Sequence, residues 1–149
     1  MSDKPKLLSI VIPTRDRADT LRYCIKTVLD IECDDFEVII CDNSPNDETY
    51  KIVNLISDDR VVYVRTPTLL SMTENWNYAF QYVSGNFTMY IGDDDGIFQP
   101  GFMNLIEKIR ENNFLAYKWY TSEYQWPIDH HPSKIISLAT HKFESQVYI

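Results

Sequence analysis

Leu7-Leu8-Ser9-Ile10-Val11-Ile12-Pro13 is the stretch that decides the fold. A strand with one wet face alternates apolar and polar residues, whereas this run is apolar almost throughout and so reads as a strand buried on both faces, the kind found in parallel sheets. Pro13 is expected to stop it. Parallel neighbours need a crossover, and a helix should follow. Leu21, Cys24, Ile25, Val28 and Leu29 recur at helical spacing, with Asp16 or Asp19 available as N-cap. Phe36 to Cys41 reads as a second strand, ending in the turn-rich Asp42-Asn43-Ser44-Pro45-Asn46-Asp47 before a short helix carrying Ile52, Leu55 and Ile56. Val61 to Val64 reads as a third strand. Ser71-Met72-Thr73-Glu74 has the capping-box pattern and opens a helix to about Val83. Phe87 to Ile91 is the fourth strand, Pro100 sits where a first helical residue would, and Phe102, Leu105, Ile106 and Ile109 form the next apolar stripe. A fifth strand is expected over Leu115 to Tyr120. The alternation predicts an α/β fold, a mostly parallel central sheet flanked by helices, with ligands bound beyond the carboxyl ends of the strands.

The whole chain narrows the classes. Its 149 residues, 24% charged and 44% hydrophobic, suffice for one domain with a real core. Twenty-two acids against 14 bases leave a net charge of −8, so duplex nucleic acid is not expected as a partner. Cys24, Cys33 and Cys41 are odd in number and lack C-x-x-C spacing, which fits reduced thiols in the cytoplasm. The first six residues lack the apolar region of a leader, and no run approaches the ~20 residues needed to span a bilayer.

After the fourth strand comes Gly92-Asp93-Asp94-Asp95-Gly96. Unit charges about 6 Å apart at an effective dielectric near 20 repel by roughly 2–3 kcal/mol, so a cation is expected there. On an extended backbone Asp93 and Asp95 point to the same side and share one divalent ion with an anionic ligand. With only four Gly, and neither G-x-x-x-x-G-K-[ST] nor G-x-G-x-x-G, a phosphate cradle of backbone amides is not encoded in the usual way. Mg²⁺ or Mn²⁺ held by one or two carboxylates and the ligand's own phosphates is the common alternative. Asp42 follows a strand as the triplet does, which places both on one sheet edge.

Ser9-Ile10-Val11-Ile12-Pro13-Thr14-Arg15-Asp16-Arg17, then Cys41-Asp42-Asn43-Ser44, then Gly92 to Gly96 resemble the family 2 glycosyltransferases with the GT-A fold. Leu70-Ser71-Met72-Thr73-Glu74-Asn75-Trp76-Asn77 and the triple Asp resemble a bacterial subgroup linked to cell-surface polysaccharides. The resemblance covers about residues 7 to 126. It implies a nucleotide-sugar-binding domain over 1–126, with 127–149 the start of an incomplete acceptor-side region. It also implies metal-dependent, inverting transfer of a sugar from a nucleotide-diphospho-sugar, with UDP the favoured nucleotide, to a glycan or lipid-linked acceptor. Peripheral contact with the inner face of the membrane and a homo-oligomer are compatible with it. Pro13, Thr14, Arg15 and Asp16 would border the nucleotide, Asp42 would accept the uracil N–H, and Asn77 is a further nucleotide-side candidate. Asp93 and Asp94 would lie nearest the ribose and sugar, and Asp95, with Asp93, would hold Mn²⁺ or Mg²⁺. Many relatives carry Arg where this chain has Trp76; Arg65, Arg15 and Arg17 are candidate substitutes for that cation, among which the sequence does not decide. The general base of inverting relatives lies well beyond the metal motif, so no catalytic residue is assigned.

Plainer readings compete. The triple Asp suits a solvated turn or a structural Ca²⁺ site, and Asp42-Asn43-Ser44-Pro45 suits plain turn chemistry. Trp76 on a helix reads first as core packing. Asp129-His130-His131 lacks zinc spacing, and Tyr117, Trp119, Tyr120, Tyr124 and Trp126 would stack a sugar, meet another subunit or fill a core. The rival functions are a nucleotide-sugar-binding fragment without turnover, a sugar-1-phosphate nucleotidyltransferase, whose Gly-rich signature is missing, and a receiver-like signalling domain, whose ordered acidic, phosphoacceptor and Lys positions are not found.

Overall fold

The computed structural model describes residues 6–118. The elements run β1 (Leu8–Thr14), α1 (Ala18–Leu29), β2 (Phe36–Asp42), α2 (Glu48–Val53), β3 (Val61–Arg65), α3 (Met72–Phe80), β4 (Phe87–Tyr90) and α4 (Gln99–Glu111). All four strands pair in parallel, in the order β3-β2-β1-β4. This is the α/β arrangement expected from the alternation of elements.

The two central strands carry the core. β2 is buried at all seven positions, and β1 at all but Pro13. At roughly 1.5–3 kcal/mol for each fully buried Ile, Leu, Val or Phe, these two strands dominate the drive to fold. Val11, Ile39, Cys41 and Val64 form one apolar cluster with Ala79 of α3, and Tyr78, Val83 and Tyr90 pack against it. Alternation places Ile10, Ile12, Val38 and Ile40, all at 0% exposure, on the other face of the sheet.

β1 does not stop at Pro13 but runs to Thr14, with Pro13 opposite Cys41. The reason is the short β4. Its pairing with β1 ends at Val11 and Tyr90, where Ile91 N–H donates to the Val11 carbonyl at 3.1 Å. Pro13, two residues on, turns its missing N–H to that same side, where no ladder bond is lost.

Ser9, the polar residue in the apolar run, anchors a buried network. Its hydroxyl donates to Glu37 at 2.6 Å and accepts the Gly85 N–H at 2.8 Å, while Ser84 N–H donates to Glu37 at 2.7 Å. A Cβ at Gly85 would lie 2.7 Å from the Ser9 backbone nitrogen, so the loop before β4 can seat only with glycine there.

The helices follow their sequence stripes with corrections at their ends. Leu21, Cys24, Ile25 and Val28 of α1 are buried, but its N-cap is Arg17, without a side-chain cap, rather than Asp16 or Asp19. Asp16 instead takes a left-handed backbone conformation, φ 55°, in the turn before the helix. The Ser71–Glu74 capping box opens α3, which ends at Phe80, earlier than expected.

Two compact units divide at 1–103 and 104–149, inside α4. In the first, Phe102 meets Phe36 edge to face at 5.2 Å. In the second, Ile106 and Ile109 are buried and Leu105 half-buried. No strand forms over 115–118, so the expected fifth strand is not found there, and Leu115 is 91% exposed. Trp119, Tyr120, Tyr124, Trp126, Asp129, His130, His131 and the expected second region, 127–149, lie outside the described residues.

Candidate functional site

Three loops meet beyond the carboxyl ends of β1, β2 and β4, the edge at which parallel sheets bind ligands. They are joined by backbone and side-chain bonds of the sequence motifs. Asn43 N–H donates to the Thr14 carbonyl at 2.9 Å, and Asp16 N–H donates to Ser44 Oγ at 2.9 Å. Asn46 Nδ2 donates to Asp16 Oδ1 at 2.9 Å, which holds the left-handed turn in place.

The loop after β4 is not extended. Gly92 to Asp95 is a turn closed by Asp95 N–H on the Gly92 carbonyl at 3.1 Å, so the alternation expected to align Asp93 with Asp95 does not apply. Asp93 turns inward and is 5% exposed. It accepts from Thr14 Oγ1 at 2.7 Å and pairs with Arg17 Nη1 at 3.0 Å. Asp94 pairs with Arg17 Nη2 at 2.7 Å, and Asp95 Oδ2 accepts the Gly92 N–H at 2.8 Å. A Cβ on Gly92 would lie 2.8 Å from Asp94 Oδ1 and 2.9 Å from Asp95 Oδ2, so these two oxygens share the space that glycine leaves open. The turn therefore brings oxygens of Asp94 and Asp95 to the same glycine.

α1 is the platform for this turn. Cys24 Sγ donates to the Gly92 carbonyl at 3.4 Å, and Thr27 Oγ1 accepts the Ile97 N–H at 3.0 Å. Burial first, then the neighbouring Asp95, Asp93 and Asp94, push the Cys24 thiol up to about 12, so it serves as a neutral donor. Desolvation raises the Asp93 carboxyl above its ordinary value against the opposing pull of Thr14 and Arg17.

Asp42 ends β2 at 0% exposure. Its Oδ1 accepts the Ser44 N–H at 2.9 Å, and its Oδ2 accepts from the Tyr63 hydroxyl at 2.8 Å. Burial, followed by the bond to Asp42, holds the Tyr63 phenol well above its ordinary value. Asn43 clamps the chain before α3, with Nδ2 donating to the Leu70 carbonyl at 2.8 Å and Oδ1 accepting its N–H at 2.9 Å. Both the turn reading and the site reading of Asp42-Asn43-Ser44 fit this geometry.

The remaining candidates are more peripheral. Pro13 is half-buried, and the exposed Arg15 lies 3.8 Å from Asp16. Asn77 is exposed on α3, and no hydrogen bond among the described residues joins it to the acidic turn. Trp76 is not core: it is 41% exposed and stacks on Tyr90 at 5.0 Å, with Tyr90 donating its hydroxyl to the Trp76 carbonyl at 3.0 Å. An open groove lined by Asp16, Arg17, Thr20, Asn46 and Thr49 shares Arg17 with the acidic turn but none of its three carboxylates. Sequence reasoning missed Tyr63 as the partner of Asp42, and it left Arg17 undistinguished from Arg15 and Arg65.

No group of three or more His, Cys, Asp or Glu gathers for a metal ion among the described residues. The donors present are hard carboxylate oxygens, two of them converging over Gly92, and this set suits Mg²⁺ or Mn²⁺ completed by phosphate oxygens rather than an all-protein cage.

The parallel sheet flanked by helices, with an acidic turn and an Asp-ended strand at one rim, defines an α/β domain with its candidate site at the carboxyl edge of the strands. The chain belongs to glycosyl transferase family 2, whose model matches residues 9–148. It is 27% identical over 119 residues to an Escherichia coli relative, the UDP-Glc:alpha-D-GlcNAc-diphosphoundecaprenol beta-1,3-glucosyltransferase WfaP, covering 79% of this chain and 47% of that one. A GalNAc(5)-diNAcBac-PP-undecaprenol beta-1,3-glucosyltransferase of Campylobacter jejuni is 29% identical over 110 residues, covering 72% and 35%. The chain thus spans half the length or less of these relatives. The crystal structure of S. aureus TarS 1-349 superposes with a TM-score of 0.62 at 20% identity over 70% of this chain and 32% of that one, which places the fold among the GT-A glycosyltransferases.

Proposed function

We propose that this chain forms the donor-binding part of a glycosyltransferase that takes a sugar from a nucleotide-diphospho-sugar, UDP-linked for preference, and passes it with inversion to a glycan or lipid-linked acceptor. The observation that carries this reading is the tie between the loops: Thr14 and Arg17 reach from the end of β1 to Asp93 and Asp94, while Asn43 and Ser44 hold the same segment from the β2 side. The names of the E. coli and C. jejuni relatives, which specify undecaprenol-linked acceptors and, for the former, UDP-Glc, support the donor and acceptor classes.

In this reading Pro13, Thr14, Arg15 and Asp16 border the nucleotide and Asp93 fixes the loop against Thr14. Asp95 with Asp94 or Asp93 holds Mn²⁺ or Mg²⁺. A bound ion would serve as a Lewis acid toward the departing diphosphate. Asp42 meets an imide N–H only if Tyr63 yields Oδ2, since both carboxylate oxygens are engaged and enclosed. Trp76 offers an aromatic face beside β4 in place of a cation. The cytoplasmic face of a membrane is the proposed place of action. No helix among the described residues is long and apolar enough to cross it.

Calorimetric titration with UDP and Mn²⁺ tests the proposal. Binding that Asp95→Ala abolishes or weakens at least tenfold is expected, and absence of binding, or indifference to Asp95→Ala, rejects it. The span of half a relative's length or less favours a second reading, nucleotide binding without turnover by this chain alone. Steady-state sugar transfer by the chain rejects that reading.

A further inference from the structure

Arg17 occupies a position that neither the family match nor the acidic motif assigns. Its guanidinium spans two carboxylates, Nη1 to Asp93 at 3.0 Å and Nη2 to Asp94 at 2.7 Å, while its side chain stays 50% exposed. Among the described residues, Arg15, Arg22 and Arg65 make no ion pair with the acidic turn. Arg65 is held by Asp47 at 2.5 Å and by the carbonyls of Asn46 at 2.7 Å and Ser44 at 3.3 Å. Arg15 leans on Asp16, and Arg22 pairs with Asp19 one turn along α1.

We propose that Arg17 is the diphosphate-binding residue of this site, and that it reaches the diphosphate by leaving Asp93 and Asp94 when a divalent ion takes up their charge. The inference rests on the nucleotide-diphospho-sugar reading above. Three carboxylates and one guanidinium leave the turn with two uncompensated negative charges. A divalent ion in place of Arg17 leaves only one, so the carboxylates are better compensated without Arg17 than with it alone, and its guanidinium is released toward a doubly negative diphosphate. The fork geometry of a guanidinium serves a carboxylate pair and a pair of phosphate oxygens equally well, so the exchange needs no new shape. Its exposure lets the side chain swing without unpacking the core. Arg17 is also the N-cap of the 12-residue α1, whose first turn has no side-chain cap, so the local field favours an anion beside it.

The test compares the wild-type chain with Arg17→Gln, Arg17→Lys and Arg22→Gln, after near-ultraviolet circular dichroism shows that each is folded. Mn²⁺ alone is titrated and followed by the electron paramagnetic resonance of the free ion, and UDP is then titrated calorimetrically at saturating Mn²⁺. Arg17→Gln is expected to bind Mn²⁺ alone about tenfold more tightly and UDP about tenfold more weakly, each a shift of ~1.4 kcal/mol. Arg17→Lys should keep wild-type Mn²⁺ affinity yet weaken UDP, because it keeps the charge and loses the fork. Arg22→Gln, which removes the same charge one turn away, should change neither. Two unchanged constants for Arg17→Gln, or a change in one without the other, overturn the exchange. Wild-type chain that does not bind UDP at all rejects the nucleotide reading itself, and Arg17's role with it.

Discussion

Asp93 holds its charge where little water reaches it, and its partners compensate only partly. Because desolvation raises its carboxyl above the unfolded value near 3.9, the folded chain takes up that proton before the unfolded chain does. Stability therefore falls as pH rises from the unfolded value through the folded one, and the deficit persists at neutral pH. Asp93→Asn should melt at or above the wild-type temperature at pH 7, with the two curves converging below about pH 4. A markedly lower melting temperature at pH 7 would instead make Asp93 a stabilising ion pair. Tyr63 makes the complementary case at Asp42. Tyr63→Phe leaves a buried carboxylate short of a donor and should cost roughly 1–3 kcal/mol in urea unfolding. If Tyr63 restrains Asp42 as proposed, the same variant keeps or tightens UDP binding, which calorimetry reads directly.

At the scale of elements, Arg60 is the tie between the end of α1 and the start of β3. Its guanidinium donates to the carbonyls of Leu29 at 2.8 Å, Ile31 at 2.7 Å and Cys33 at 3.2 Å, pairs with Asp58 at 2.7 Å, and lies 4.9 Å over the Phe36 ring. It thus satisfies carbonyls that the helix end leaves open. Arg60→Ala should destabilise the chain by about 2–4 kcal/mol in urea unfolding, and Arg60→Lys should recover less than half of that, since one ammonium cannot cover four acceptors and a ring. Asp58 is held below the usual carboxylate range, first by its side-chain bond to Arg60. Its contribution is therefore complete above about pH 4 and is lost as pH falls through the depressed value. The helix stripes of α1 and α4 and the capping box of α3 were legible in sequence because they depend on local spacing. The N-cap of α1 was not, because a bond from Asn46, thirty residues away, recruits Asp16 into the turn.

At the scale of the whole molecule, the loops that meet at one rim come from three separate strand ends, and a ligand that binds them together should resist unfolding. At a hundredfold excess over its dissociation constant, UDP with Mn²⁺ should add about 2.7 kcal/mol, or roughly 5–10 °C in melting temperature for a chain of this size. Either component alone should give less, and equal shifts with and without Mn²⁺ would remove the ion from the nucleotide site. The parallel α/β class, the buried central strands and the acidic rim were all determined by the sequence itself, since burial on two faces and charge after a strand are written in consecutive residues. Which acids face one another was decided only by tertiary structure. The Gly92–Asp95 turn cancelled the alternation of an extended strand, Thr14 drew Asp93 inward across 79 residues, and Arg17 emerged from three equivalent arginines because the start of α1 points it at that turn. Local patterns record the period of a strand or a helix, but the direction of a side chain in a loop depends on partners that only the folded sheet brings within reach.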